Sequence, residues 1–179
     1  MEHEGVEQGG LGESDGLQRL WTPYRMAYIR RDVGAPPDRA QECPFCAIPS
    51  GDDAEGLVLA RGSECYAVLN LHPYNPGHLM VIPYRHVAEL EDLTEGEAHE
   101  LMSMTQAAVR TIKKVSQPRG VNVGLNLGSA AGGSLSSHLH QHVVPRWVGD
   151  ANFITVTGNT KVIPQLLGQT RDLLAEAWG

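Results

Sequence analysis

The chain has 179 residues, with 14 Lys and Arg against 21 Asp and Glu, a net charge of -7, and three cysteines. That length fits one domain able to bury a real core. The acidic balance excludes general nucleic-acid binding, which draws most of its affinity from a basic face. No apolar run approaches the ~20 residues of a membrane span, and an odd cysteine count argues against a disulfide framework. An N-terminus carrying Glu2, Glu4, Glu7 and Glu13 lacks the basic-then-apolar layout of a secretion signal. A cytoplasmic protein with reduced thiols, bound to neither membrane nor nucleic acid, is expected.

Residues 1–18 scatter Gly5, Gly9, Gly10, Gly12 and Gly16 among acids, too little apolar surface to fold, so they are expected to form a disordered tail. A single domain is expected over 19–179. It opens on Leu20–Ile29, whose aromatic and aliphatic side chains must pack on the domain or on a partner subunit. Pro36 and Pro37 mark a loop over 32–41. Cys43-Pro44-Phe45-Cys46 follows. CxxC serves as a redox dithiol or as half of a zinc site, and the redox form sits in a strand–helix unit that this region does not suggest. A structural zinc takes four ligands, so two would come from elsewhere; two buried free thiols are the plainer reading. Cys65 reads as a small core residue.

Gly51-Asp52-Asp53 reads as a turn. Leu57–Ala60, Tyr66–Asn70 and His78–Pro83 are strand-length apolar runs, the last two separated by the Pro- and Gly-punctuated His72–Gly77. Thr94 with Glu97 makes a capping box that opens the strongest helix. Leu101, Met104, Thr105, Ala108, Val109, Ile112 and Val115 form its apolar stripe. Met102 and Met104 both read as core filling, and Gln117–Gly120 stops the helix. Val121–Asn126 alternates, and should pair with the next strand as a hairpin.

That next strand spans Ser137–Arg146, with histidine at 138, 140 and 142, and runs into Val143-Val144. Side chains on a strand alternate, so the three imidazoles share one face, each roughly 7 Å from the next. Such a wall suits a metal, although a flat row seldom closes a tetrahedron alone. It also suits phosphate chemistry, with one imidazole attacking phosphorus and its neighbours holding the oxygens. The small residues of Asn126–Ser134, Gly133 and Ser134 among them, let backbone N–H groups approach an anion, and this favours the second use. Arg146 could add local positive charge. Gln141, polar on the opposite face, needs a buried partner. Beyond a Gly149-Asp150 turn and an irregular 151–160, a helix is expected over Val162–Trp178. Pro164 lies in its first turn, and Leu166, Leu167, Leu173, Leu174 and Ala177 make its apolar face.

His138-x-His140-x-His142-Val-Val, with Asn126 and Gly133-Ser134 upstream, resembles the active-site signature of the histidine triad (HIT) superfamily of nucleotide hydrolases and transferases. The continuation Pro145-Arg146-Trp147-Val148-Gly149-Asp150-Ala151-Asn152-Phe153, and the Trp-Pro-Arg-Met-like segment from Trp21, are similar to the bacterial, especially actinobacterial, branch of small diadenosine tetraphosphate phosphorylases and hydrolases. The resemblance implies an α+β fold: an antiparallel sheet of about five strands carrying the long helix and a C-terminal helix.

It further implies a covalent role for His140, with His138 and His142 beside it. Asn126, Gly133 and Ser134 would lie on phosphate, and Ser136 is an alternative to Ser134. Asn70-x7-His78-x7-His86 is similar to the nucleoside half-site, where an acid commonly replaces Asn70, and Leu71, Phe45 and Pro44 would flank the base. Taken alone, those three residues read as core. The resemblance also supplies zinc ligands, Cys43, Cys46, His86 and His138, and no organic cofactor. Histidine at 142, where galactose-1-phosphate uridylyltransferases have glutamine, counts against that branch. The substrate implied is a dinucleoside polyphosphate, with AMP or ADP and phosphate as related ligands, in a homodimer or homotetramer. A dinucleotide hydrolase or nucleoside phosphoramidase would use the same residues. A metal-binding module, with His138, His140 and His142 on one ion, would leave the glycine loop and Arg146 unexplained.

Overall fold

The structure is a computed structural model, and it describes residues 43–131, 135–150 and 165–179. The expected tail, the Trp21 segment, the Pro36-Pro37 loop, Gly133, Ser134, Pro164 and the irregular 151–160 lie outside the described residues. Five strands form one antiparallel sheet: β1 (Val58–Arg61), β2 (Cys65–Leu69), β3 (Leu79–Pro83), β4 (Gly120–Leu125) and β5 (Gln141–Arg146), in the order β1-β2-β3-β5-β4. Among the described residues three α-helices accompany it: α1 (Pro44–Ala47), α2 (Glu95–Ser116) and α3 (Leu167–Ala177). β4 and β5 pair as the expected hairpin.

Alternation gives the sheet two different faces. Leu59, Ala67, Leu69, Leu79, Val81 and Val143 face α2, where Leu101, Met104, Ala108 and Ile112 complete the main core, joined by Leu174 of α3. Val58, Tyr66, Val68, Met80 and Ile82 point the other way, under Phe45, Ile48 and Tyr84. His142 sits opposite Met80 in the β3–β5 register and so belongs to the second face.

The capping box at α2 forms as expected: Glu97 N–H donates to Thr94 Oγ1, and Thr94 N–H donates to the Glu97 carboxylate. Glu97 also takes a two-point bond from Arg85, whose guanidinium holds the Glu97 carboxyl down near 2. The pair ties the segment after β3 to the helix. The helix ends where Gln117 adopts a left-handed conformation (φ 46°), a common way to terminate a helix.

Three expectations are corrected. The histidine strand is shorter than its sequence pattern: β5 starts at Gln141, since the ladder with β3 reaches only from Val81 to Gln141, and Leu139 N–H instead donates to Val87 O at 2.7 Å. Met102 is 52% exposed while Met104 is buried, because position 102 lies off the stripe that faces the sheet. The C-terminal helix begins at Leu167, after an extended Leu166 (ψ 146°). Its buried residues are Thr170 and Leu174, with Leu166 and Leu173 exposed.

Gln141 has its partner. Its Nε2 donates to Thr105 Oγ1 of α2 at 2.6 Å, and Thr105 in turn donates to Leu101 O; both side chains are buried. Thr105→Val should therefore strand the Gln141 amide and cost about 1–3 kcal/mol. The double variant Thr105→Val/Gln141→Met, with both polar partners gone, should recover most of that loss. Urea unfolding midpoints of the three proteins measure it.

Candidate active site and metal cluster

A cavity of about 580 Å³ opens on the second sheet face, in the ~300–1,000 Å³ range of small-molecule sites. It gathers residues that are far apart in sequence. Pro44, Phe45 and Ile48 come from the α1 region, Leu57 precedes β1, Asn70, Leu71 and Tyr74 follow β2, and His140 and His142 come from the triad. Six of the residues singled out from the sequence thus share one wall system: Pro44, Phe45, Asn70, Leu71, His140 and His142. Asn70 Oδ1 accepts from His72 N–H at 2.9 Å, a tight local turn that presents Leu71, 64% exposed, at the rim.

The three histidines do share a face, with Leu139, Gln141 and Val143 on the other, but they serve two centres. His138 turns away from the cavity. Its Nε2 lies 2.9 Å from Pro83 O; a carbonyl only accepts, so Nε2 carries the proton and Nδ1 keeps its lone pair. That Nδ1 is 3.4 Å from both Cys43 Sγ and Cys46 Sγ, and Cys46 Sγ is 3.3 Å from His86 Nδ1. The four ligand atoms all lie within 4.8 Å of one another. A tetrahedral zinc with ordinary bonds would separate its ligands by about 3.3–3.8 Å, so this donor set fits a metal. The carbonyl behind His138 fixes the tautomer that a ligand needs. Burial and the neighbouring Cys43 push the Cys46 thiol up to about 11, which keeps it protonated until a cation displaces the proton. Among the described residues this is the only metal-competent group, and the triad does not converge on one ion.

His140 is oriented by the backbone. Its Nδ1 lies 2.8 Å from the carbonyl of His138, so Nδ1 bears the proton and Nε2 retains its lone pair. The ring is buried, at 6% exposure, yet lines the cavity. Burial lowers its pKa, keeping the imidazole neutral.

His142 depends on a residue to which sequence reasoning gave no role of its own. Tyr74 N–H donates to His78 Nδ1 at 3.0 Å, so the His78 proton sits on Nε2, which donates to His142 Nδ1 at 2.9 Å. His142 must then carry its proton on Nε2, the atom 3.4 Å from the Asn126 amide. The Tyr74 ring stacks on His142 at 5.7 Å and 28°. The signal for His78 was available: it shares strand parity with Met80, the register partner of His142. Burial, then the adjacent His140, lowers the His142 pKa to about 4. Arg146 lies elsewhere. It grips Asp150 through Nε at 2.7 Å and Nη2 at 3.0 Å, donates to Asn122 Oδ1, and does not line the cavity.

A five-stranded antiparallel sheet with two histidines of the triad lining a cavity on one face defines a class, and comparison with known proteins names it. The HIT domain family matches residues 53–148, more than half the chain, and the chain belongs to that family. It is 64% identical over 174 residues to the AP-4-A phosphorylase of Mycobacterium tuberculosis, covering 94% of this chain and 88% of that protein. It is 38% identical over 106 residues to the asymmetrical bis(5'-nucleosyl)-tetraphosphatase of Schizosaccharomyces pombe, covering 59% and 56%. Among solved structures, a zinc-bound histidine triad family protein from Mycobacterium smegmatis superimposes with a TM-score of 0.63 at 26% identity, covering 78% of this chain and 95% of that one.

The depressed His142 pKa carries a stability prediction. The unfolded side chain takes up its proton near 6.5 and the folded one near 4, so between those values the unfolded chain holds more protons and acid favours unfolding. The Tm should be flat above about pH 7 and should fall as pH is lowered from 6.5 towards 4, with a shallower fall in His142→Gln. Calorimetry across that range checks it.

Proposed function

We propose that this chain cleaves dinucleoside polyphosphates, and that its reaction is phosphorolysis of diadenosine tetraphosphate to ATP and ADP through an adenylylated His140. The carrying observation is the His140 Nδ1–H bond to its neighbour's carbonyl, which leaves Nε2 as the nucleophilic atom beside the cavity. The 64% identity to an AP-4-A phosphorylase supports the substrate. Nε2 attacks the α-phosphorus, the bond to the bridging oxygen breaks, and ATP leaves with the electron pair. Inorganic phosphate then attacks the same phosphorus, freeing His140 and giving ADP. Water in its place would give AMP, the hydrolytic reading favoured by the likeness to the tetraphosphatase.

His142 Nε2–H and the Asn126 amide, beside each other, would donate to the phosphoryl oxygens as charge builds, a role in which one donor typically accounts for ~10²–10³ in rate. Gly133 and Ser134 would lie on phosphate, as the family signature implies. Phe45, Pro44 and Leu71 would hold the base and Asn70 the ribose, its amide both accepting and donating. Arg146 would act on substrate only after releasing Asp150. Cys43, Cys46, His86 and His138 would hold a structural zinc, whose contribution is to cross-link α1 to the segments after β3 and before β5. Reduced thiols suit a cytoplasmic setting, and no described helix is long and apolar enough to cross a membrane. A single catalytic domain within residues 19–179 and a dimer or tetramer complete the proposal.

With diadenosine tetraphosphate, the full chain should release ADP and ATP only when phosphate is present. AMP and ATP formed without phosphate would select the hydrolase, and no turnover at all would overturn the enzyme. His140→Ala should abolish turnover, whereas Asn126→Ala and His142→Ala should lower kcat by ~10²–10³. Separately, the purified chain should carry one zinc by elemental analysis, and Cys46→Ala should lose it.

A further inference from the structure

The metal cluster and the cavity are back to back, and the residues between them belong to both. Cys43 and Cys46 bracket Pro44 and Phe45, which line the cavity. The Phe45 ring meets His138, on the metal side, edge-on at 5.8 Å, and meets His140, on the cavity side, at 5.0 Å. A second route runs through the backbone, where the carbonyl of the metal-facing His138 accepts the Nδ1–H of His140.

The wall itself is weakly built. α1 is four residues long and has no side-chain cap bond at Cys43, and a helix of that length does not hold itself. Its long-range hydrogen bonds among the described residues are the Tyr66 hydroxyl, which donates to Phe45 O at 2.7 Å, and the thiol–imidazole contacts at 3.3–3.4 Å. Metal–ligand bonds in place of those contacts would fix the wall before a nucleotide arrives.

We propose that Cys43 and Cys46 are positioning residues for the nucleotide cavity: metal at the four-residue cluster and nucleotide against Phe45 each raise the affinity for the other. The inference rests on the nucleotide reading of the cavity and goes beyond it. Ordering of the Pro44-Phe45 wall is the shared cost, met once by whichever ligand binds first. Since linkage is reciprocal, the factor is the same in both directions.

Calorimetric titration of the full chain with AMP, zinc-loaded and chelator-stripped, should show at least ~5-fold tighter AMP binding with zinc. Saturating AMP should tighten zinc binding by the same factor in chelator competition. The cobalt-loaded chain supplies a readout that needs no metal-free protein. AMP should perturb its visible ligand-field bands, and Phe45→Leu should keep the thiolate–cobalt bands but lose the perturbation. Equal AMP constants with and without zinc, or cobalt bands indifferent to saturating AMP, overturn the coupling and leave the nucleotide site standing. Failure of the loaded chain to bind AMP overturns both.

Discussion

The arrangement depends on how one buried residue is held. His138 donates from Nε2 to Pro83 O, offers Nδ1 to two thiols, and accepts with its main-chain carbonyl the Nδ1–H of His140. Each bond selects a tautomer, and each tautomer selects a chemical role. The lone pair of His138 faces the cysteines, and that of His140 is left for the cavity. The segment runs outside the β5 ladder, which begins at Gln141. A carbonyl fully engaged in the sheet would be a poorer acceptor for a side chain two residues on.

A second proton chain, from Tyr74 N–H through His78 to His142, sets the neighbouring imidazole as a donor. The two rings sit 4.9 Å apart, nearly perpendicular, one with its lone pair available and the other with its proton available. Burial lowers the pKa of both, so neither needs to lose a proton to work near neutral pH. An imidazole lone pair beside a hydrogen-bond donor is the pairing that the proposed transfer at phosphorus would use. The Gln141–Thr105 bond secures the same strand from its opposite face, where a polar group would otherwise be stranded in the core.

Much of this is legible in the chain. The alternation that puts three histidines on one side also puts Leu139, Gln141 and Val143 on the other. The Thr94–Glu97 pair marks the start of α2, and six residues that surround the cavity stand out by family pattern. Where pattern misleads, it does so in one way, by weighing a residue without its neighbours in space. Met102 and Leu173 are apolar by type, but helix rotation turns them outward. The composition of 137–140 suits a strand, but β4 ends at Leu125, the partner of Gln141, and β3 pairs with β5 no further than Val81. Arg146 has the right charge for phosphate, but Asp150, four residues on, is close enough to occupy it.

The sequence by itself determined the order of the five strands and of the long and C-terminal helices, though not the four-residue α1, together with the face on which each histidine stands, the polar demand of Gln141 and, through a family signature, which cysteines and histidines gather into one cluster. Only the tertiary structure decided which nitrogen of each imidazole carries the proton, that His138 joins the Cys43, Cys46 and His86 cluster while His140 and His142 line the cavity, and that Arg146 is taken by Asp150. Those outcomes depend on which carbonyl, amide or carboxylate arrives from another segment, as Pro83 O reaches His138 across 55 residues. Local pattern carries no record of such an approach.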